Sequence, residues 1–338
     1  MLNLSFKGLR AALLFSTCLL TNGAMAQTTT NSRPGDATAE TLPNRLVDDL
    51  RAAFGKHHAR AVHAKGIILE GMFQPSREAS TLSNAAVFRA QSRVIVRFSD
   101  FTGIPDIPDN HPLASPRGFA IKFDPDGTTP VDIVAHGFNG FPTATSEEFG
   151  QLLLAIAASP AGSPEPSALS NFLAAHPIAA TFLKTQKPMP VSYATNPYFG
   201  VNSFAFINAN GRRKYVRYRF VPRAGEQYLA TATATASDPN FLQVEIATRV
   251  RTTPIIFDWY AQVSGPGDKI DDPSVAWPDN RQLVKLGTIT INQLSTDQQT
   301  IDRNLLFLPG KVPPGIEIAD PMLQIRTNAY PISFGERQ

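Results

Sequence analysis

Residues 41–55 carry apolar side chains three and four positions apart, at Leu42, Leu46, Val47, Leu50 and Phe54. That spacing lays them on one face of a helix from Thr41 to Gly55. The pattern then changes to strands: Ala61 to Phe73, the alternating Ser92 to Ser99, and Gly118 to Phe123, ended by the turn signal Asp124-Pro125-Asp126-Gly127. Ser146 to Ala158 returns to a helical period, with Thr145 or Ser146 as cap and Glu147-Glu148 in the first turn. Ser167 to Gln186 reads as another helix, interrupted near Pro177. From Ser203 to about Lys285 the chain alternates again, and 290–310 reads as helical around Thr296-Asp297-Gln298. Strands early and late, with helices between and after them, indicate an α+β chain: an antiparallel sheet or barrel with helices packed outside. No linker divides it, so 43–338 reads as a single domain.

The first 26 residues have a different character. Lys7 and Arg10 precede the short apolar run Ala11 to Leu20, and Ala24-Met25-Ala26 offers a cleavage site before Gln27. This is the layout of a secretory signal peptide, which predicts a periplasmic or secreted mature protein. The apolar run is well short of the ~20 residues that span a bilayer, and no other stretch reads as an integral membrane segment. Residues 27–42, rich in Thr, Asn, Ser and Pro, read as a mobile lead-in to the domain. The one cysteine, Cys18, falls inside the leader, so the mature chain has no disulfide, thiolate nucleophile or cysteine-ligated metal.

Composition narrows the functional classes. Of 338 residues, 43% are hydrophobic and 17% charged, which excludes a disordered chain, and 28 prolines with 22 phenylalanines argue against a helical bundle. The net charge of +3 falls to +1 once Lys7 and Arg10 are set aside, leaving 29 basic against 28 acidic residues. Nucleic-acid binding therefore has no support, and Arg212 to Arg219, where basic and aromatic residues interleave, reads as a strand with one solvated face.

No nucleophile elbow, Walker loop, Rossmann fingerprint, haem-attachment motif or zinc spacing is present, and Glu147-Glu148 marks a helix start, not a glycosidase pair. The six histidines are His57, His58, His63, His111, His136 and His176. His57 and His58 read as helix-end residues, His111 as a loop hydrogen-bonder and His176 as structural. His63 stands in an apolar strand start, and burying an imidazole costs free energy unless something uses it. By itself it is either a satisfied core histidine or a catalytic one.

The words around His63 resemble the haem catalase family. Arg60-Ala61-Val62-His63-Ala64-Lys65-Gly66 is similar to that family's distal-histidine segment, Val96-Arg97-Phe98-Ser99 to its next strand, and Pro116 to Phe123 to the one after. Tyr198 to Phe204 with Asn208 to Gly211 resembles a later hairpin, and Arg326-Thr327-Asn328-Ala329-Tyr330-Pro331 the proximal R-x-x-x-Y-P. The words follow the family's order across ~280 residues. The resemblance points to the short, catalase-related peroxidase branch, since the chain stops eight residues past Tyr330.

The resemblance implies a catalase-like antiparallel β-barrel with surrounding helices, and haem b with Tyr330 as the iron ligand. Arg326, one helical turn earlier, is placed to hydrogen-bond the phenolate, and Pro331 suggests a helix ending at Tyr330. His63 becomes the distal acid–base group in heterolytic peroxide cleavage through an oxoferryl intermediate, and Ser99 sets its tautomer. A gapless match puts His136 where large catalases have asparagine, while Asn139 lies three residues on; either is left to orient peroxide. Val62, Phe141 and Phe149 are implied as pocket residues, Phe149 stacking on the porphyrin. Arg60, Arg97 and Arg337 are implied as propionate partners. The implied activity is decomposition of hydrogen peroxide or small organic hydroperoxides with a small organic electron donor, by a monomer or homodimer, in oxidative-stress defence. A haem carrier or sensor, and a fatty-acid-hydroperoxide enzyme of the allene-oxide-synthase type, stay open as alternatives.

Overall fold

A computed structural model describes residues 41–124, 126–127 and 130–338; the expected leader and most of the lead-in lie outside the described residues. Eight strands, β1 (Gly66–Pro75), β2 (Ser92–Ser99), β3 (Gly118–Phe123), β4 (Val131–His136), β5 (Tyr198–Ile207), β6 (Arg213–Pro222), β7 (Ile255–Val263) and β8 (Leu283–Leu294), pair antiparallel in the order β4-β3-β2-β1-β8-β7-β6-β5. A pairing of His136 with Phe199 closes them into a barrel, and β9 (Ile316–Ile318) adds to β5. The helices are α1 (Leu42–Phe54), α2 (Ala79–Leu82), α3 (Ser146–Ala157), α4 (Ala168–Ala175), α5 (Pro177–Lys184), α6 (Thr231–Thr235), α7 (Phe241–Thr252), α8 (Gln298–Asn304) and α9 (Met322–Gly335).

The alternation in β2, β3 and β4 decides where a ligand fits. Val94, Val96 and Phe98, with Phe119, Ile121 and Phe123, point into the barrel and are buried. Phe98 stacks on Phe119 at 5.2 Å, Phe119 on Tyr198 at 4.7 Å and Phe220 on Trp259 at 5.8 Å, which fills the lumen with aromatic rings. The usable surface is therefore the outer wall. There the register sets Arg97, Ala120 and Val134 in one cross-strand row and Ser99, Gly118 and His136 in the next. Glycine and alanine in the middle strand leave a shallow bay, and α9 and the segment 60–63 contribute to its walls.

Several elements differ from the sequence pattern. The first strand begins at Gly66, so His63 lies in an irregular segment, with φ +58°. The stretch read as alternating from 203 to 285 contains α7: Leu242, Val244 and Ile246 alternate, but the buried set is Leu242, Ile246 and Val250, every fourth residue, and Val244 is exposed. Residues 283–294 form β8, which shortens the helix expected over 290–310 to α8. The helix carrying Tyr330 runs through Pro331 to Gly335. A proline inside a helix forfeits one backbone hydrogen bond; here continuation brings Ser333 to accept from the Ala61 backbone N–H at 3.0 Å.

Candidate active site

One cavity, with about 740 Å³ of space between atoms and partly open to solvent, lies on the outer wall of β2, β3 and β4. Arg60, Val62, His63, Arg97, Ser99, Tyr330 and Arg337 line it, so seven of the residues picked from the sequence meet in one place. Apolar surface from Val47, Leu50, Val134 and Phe307 makes up much of the remainder.

His63 is held from its backbone outward. Its N–H donates to the Phe101 carbonyl at 2.7 Å, Ala64 N–H to Thr102 at 2.9 Å, and Asp100 N–H to Lys65 at 3.0 Å. These bonds stabilise a left-handed conformation that costs a non-glycine residue roughly 1–2 kcal/mol. The ring Nδ1 lies 3.0 Å from the Asp100 carbonyl and 3.1 Å from Ser99 Oγ. A carbonyl only accepts, so Nδ1 carries the proton and Nε2 keeps its lone pair. Gly118 makes room for this ring, because a Cβ there would overlap both Ser99 Oγ and His63 Nδ1.

Tyr330 sits on α9 one turn after Arg326. The guanidinium donates to the phenol oxygen twice, from Nη2 at 2.8 Å and Nε at 3.1 Å. Arg326 is braced in turn by Asn202, whose amide donates to Asp320 at 2.7 Å. Asn202 and Asp320 escaped the sequence reading because they lie far apart in sequence and belong to no local motif.

Two of the three arginines meet on Asp302, another residue without a sequence signal, and the third, Arg337, lies within its electrostatic reach. Arg97 Nε donates to its carboxylate at 2.6 Å and Arg60 Nη2 at 3.1 Å, while Arg337 reaches the Leu305 carbonyl at 2.7 Å. Burial with neighbouring Arg97 lowers Arg60 to about 9, and burial lowers Arg337 to about 10. Burial works to raise Asp302, but Arg97 and Arg60 outweigh it and hold the carboxyl at about 2. Three guanidinium groups against one carboxylate leave this edge with two excess positive charges. Arg60 Nε is buried without a protein partner, as is Nε2 of His136. An apolar slot, a guanidinium-bound phenol and a doubly positive edge fit the haem that the resemblance implies, with Tyr330 toward the iron and the arginines toward two propionates.

Of the two candidates for orienting peroxide, His136 stands in the same row as Ser99 and Gly118, near enough to lower His63 electrostatically. Asn139 lies in the bend beyond β4, and neither it nor His136 is among the residues lining the cavity. Phe141 and Phe149 also stand off that wall, packing on each other at 4.9 Å, with Phe141 6.4 Å from His136. α3, which carries Phe149, packs against α1. Three other histidines make local contacts: His57 meets the Phe54 carbonyl, His111 accepts from Leu113 N–H, and His176 stacks on Phe172 at 3.9 Å.

Burial, then His136 and Arg97, lower His63 to about 3; burial, then Arg326, lower His136 to about 3. Both rings are neutral at pH 7. An unfolded histidine titrates near 6.5, so between about pH 6.5 and 3 the unfolded chain binds more protons and stability falls as pH falls. Each ring contributes a slope of up to about 1.4 kcal/mol per pH unit. Asp100, whose carboxyl burial raises, acts in the opposite sense. The histidine contribution is therefore read as a difference: urea midpoints of wild type and His63→Gln at pH 7 and pH 5 should show the shallower acid loss in the variant. Equal losses would mean that His63 does not fold as a neutral ring.

Comparison with known proteins agrees with this geometry. A family model described as catalase matches residues 21–337. The chain is 37% identical over 298 residues to a catalase-related peroxidase of Mycolicibacterium paratuberculosis, covering 86% of this chain and 93% of that one. It is 33% identical over 310 residues to a catalase-related peroxidase of Synechococcus elongatus, covering 90% and 91%. Among solved structures, a fungal catalase superposes with TM-score 0.73 at 21% identity over 94% of this chain and 66% of that one, and catalase A of Saccharomyces cerevisiae with TM-score 0.71 at 20% identity over 94% and 68%. The barrel, the distal and proximal words in their order, and these matches place the chain in the catalase family.

Proposed function

We propose that this protein is a haem peroxidase that consumes hydrogen peroxide, with some catalase activity, in defence against oxidative stress. One observation carries the reading: a guanidinium-bound phenol, a neutral imidazole with a free Nε2 and a doubly positive edge line the same apolar cavity. The family is haem-dependent, and we take the group to be haem b, whose two propionates would face the two excess positive charges. When bound, the haem supplies the iron that receives peroxide and accepts its two oxidising equivalents. Tyr330 would hold the iron through its phenol oxygen, on which Arg326 would stabilise negative charge. His63 Nε2 takes the proton from the near oxygen of peroxide and returns it to the leaving oxygen, so that water departs. Asp100 and Ser99 hold the ring for that transfer, His136 orients the substrate, and Val62 with the apolar wall excludes water from the cleaved bond.

The named relatives support a peroxidase over a haem carrier or a fatty-acid-hydroperoxide enzyme. The histidine at the distal asparagine position should weaken oxidation of a second peroxide, so a small organic donor is the reductant. Steady-state turnover with and without an aromatic donor tests this: donor oxidation should dominate. Dioxygen release at the rate of a large catalase, without donor oxidation, would overturn it. The signal-peptide layout of 1–26 supports export to the periplasm or beyond, so the exported chain should begin near Gln27. An intact mass that includes Met1 would refute export by cleavage.

A further inference from the structure

We propose that Asp100 is a positioning residue of the distal site: its buried carboxylate, clamped by Arg117 and Tyr193, fixes the peptide whose carbonyl keeps the His63 proton on Nδ1. The inference rests on the reading of His63 as the acid–base group. Behind the cavity lies a cluster of charges that the proposed chemistry does not use. Lys65, Asp100, Asp109 and Arg117 are at most 4% exposed, and Tyr193 is wholly buried. Asp100 Oδ1 accepts from Arg117 Nη1 and from Tyr193 Oη at 3.0 Å, while Oδ2 has no hydrogen-bond partner and lies 3.9 Å from Lys65 Nζ. Lys65 Nζ in turn binds Asp109 at 2.6 Å.

Desolvating four charges is expensive, and a well-packed apolar cluster commonly serves stability as well or better. The position of this cluster suggests another use. Each of three members adjoins a residue that shapes the distal pocket: Lys65 is two residues from His63, Asp100 follows Ser99, and Arg117 precedes Gly118. One carboxylate thus ties together the three chain segments that hold the imidazole. The Asp100 peptide is fixed at both faces, its N–H on Lys65 and its carbonyl toward His63. If that carbonyl tilts away, the proton can move to Nε2, and a ring in that tautomer cannot accept the peroxide proton there.

The test pairs two isosteric variants of the holoenzyme, Asp100→Asn and Asp109→Asn. Both remove a charge from the cluster, and the two carboxyls neighbour each other, but Asp109 is bound by Lys65 and the Leu242 N–H, and its own peptide does not contact His63. Two properties are measured per bound haem: the bimolecular rate of the first spectral change with peroxide, and the affinity of the ferric protein for cyanide, which must give up a proton at the same face. Asp100→Asn should lower both by about 10- to 100-fold, the usual effect of losing a group that orients a functional histidine. Asp109→Asn should lower the melting temperature and leave both near wild type. Unchanged values in Asp100→Asn, or equal losses in the two variants, would overturn the proposal. If Asp100→Asn fails to fold, Tyr193→Phe, which removes one donor to Oδ1, decides: a smaller fall in both properties supports it and wild-type values refute it. His63→Ala separates the premises, since normal reactivity there would mean that His63 itself was misassigned.

Discussion

Tyr330→Phe is expected to abolish most haem retention while leaving the barrel folded. The phenol oxygen in the cavity wall receives two guanidinium hydrogen bonds, both from Arg326. Free tyrosine keeps its proton to near pH 10, so a phenolate ligand needs the metal and a cation to stabilise it. Removing the oxygen leaves Arg326 on Asn202 and leaves Arg60, Arg97, Arg337 and the apolar wall in place. The variant should bind haem weakly through these, with an affinity at least about 100-fold lower, equivalent to about 2.7 kcal/mol. Its absorption should lose the phenolate-to-iron charge-transfer feature. Haem titration of the apo-proteins, monitored in the Soret region, checks the result, with circular dichroism as the control for fold. Full haem content and an unchanged charge-transfer band would refute Tyr330 as ligand. Arg326→Leu should keep more haem than Tyr330→Phe while shifting that band, because it removes the support and retains the oxygen.

Most of this site was legible because its residues belong to short words. β2 and β3 alternate so regularly that their bounds and outward faces follow from the sequence, and with them Arg97, Ser99 and Gly118. Arg326 and Tyr330 are one turn apart, a relation that helix geometry fixes. The less legible features are those set by tertiary contact. The apolar neighbours of His63 predict a strand there, but its left-handed backbone depends on pairing with 101–102, nearly forty residues later. α7 imitates a strand over three positions, and only its packing at every fourth residue shows which face is buried. Pro331 signalled an end that does not occur, since local propensity yields to what the rest of α9 gains against 60–63. Asp302, Asn202 and Asp320 had no signal because each is defined by a partner remote in sequence.

His63→Ala should separate catalysis from support. The backbone bonds to Phe101 and Thr102 do not involve the ring, so the segment 61–65 has its anchors in the variant. Haem should be retained, because Tyr330 and the three arginines approach it from other elements. What the ring alone supplies is a lone pair at Nε2, with the proton fixed on Nδ1 by Asp100 and Ser99. A positioned acid–base group is worth about 10²–10⁴-fold, so peroxide activation per bound haem should slow by at least about 100-fold. A structural histidine gives the reverse pattern. Its loss would remove buried contacts, including the edge-on packing against Phe101 at 5.5 Å, and lower stability while each surviving haem reacted normally. Stopped-flow rates of the first spectral change with peroxide, normalised to haem and set beside the urea midpoint of the same preparation, distinguish the two. Near-normal reactivity with a lowered midpoint would end the catalytic assignment. A rate falling a hundredfold with an intact midpoint would fix His63 as the proton carrier, and His63→Gln, which restores side-chain bulk but no basic nitrogen, should stay equally slow.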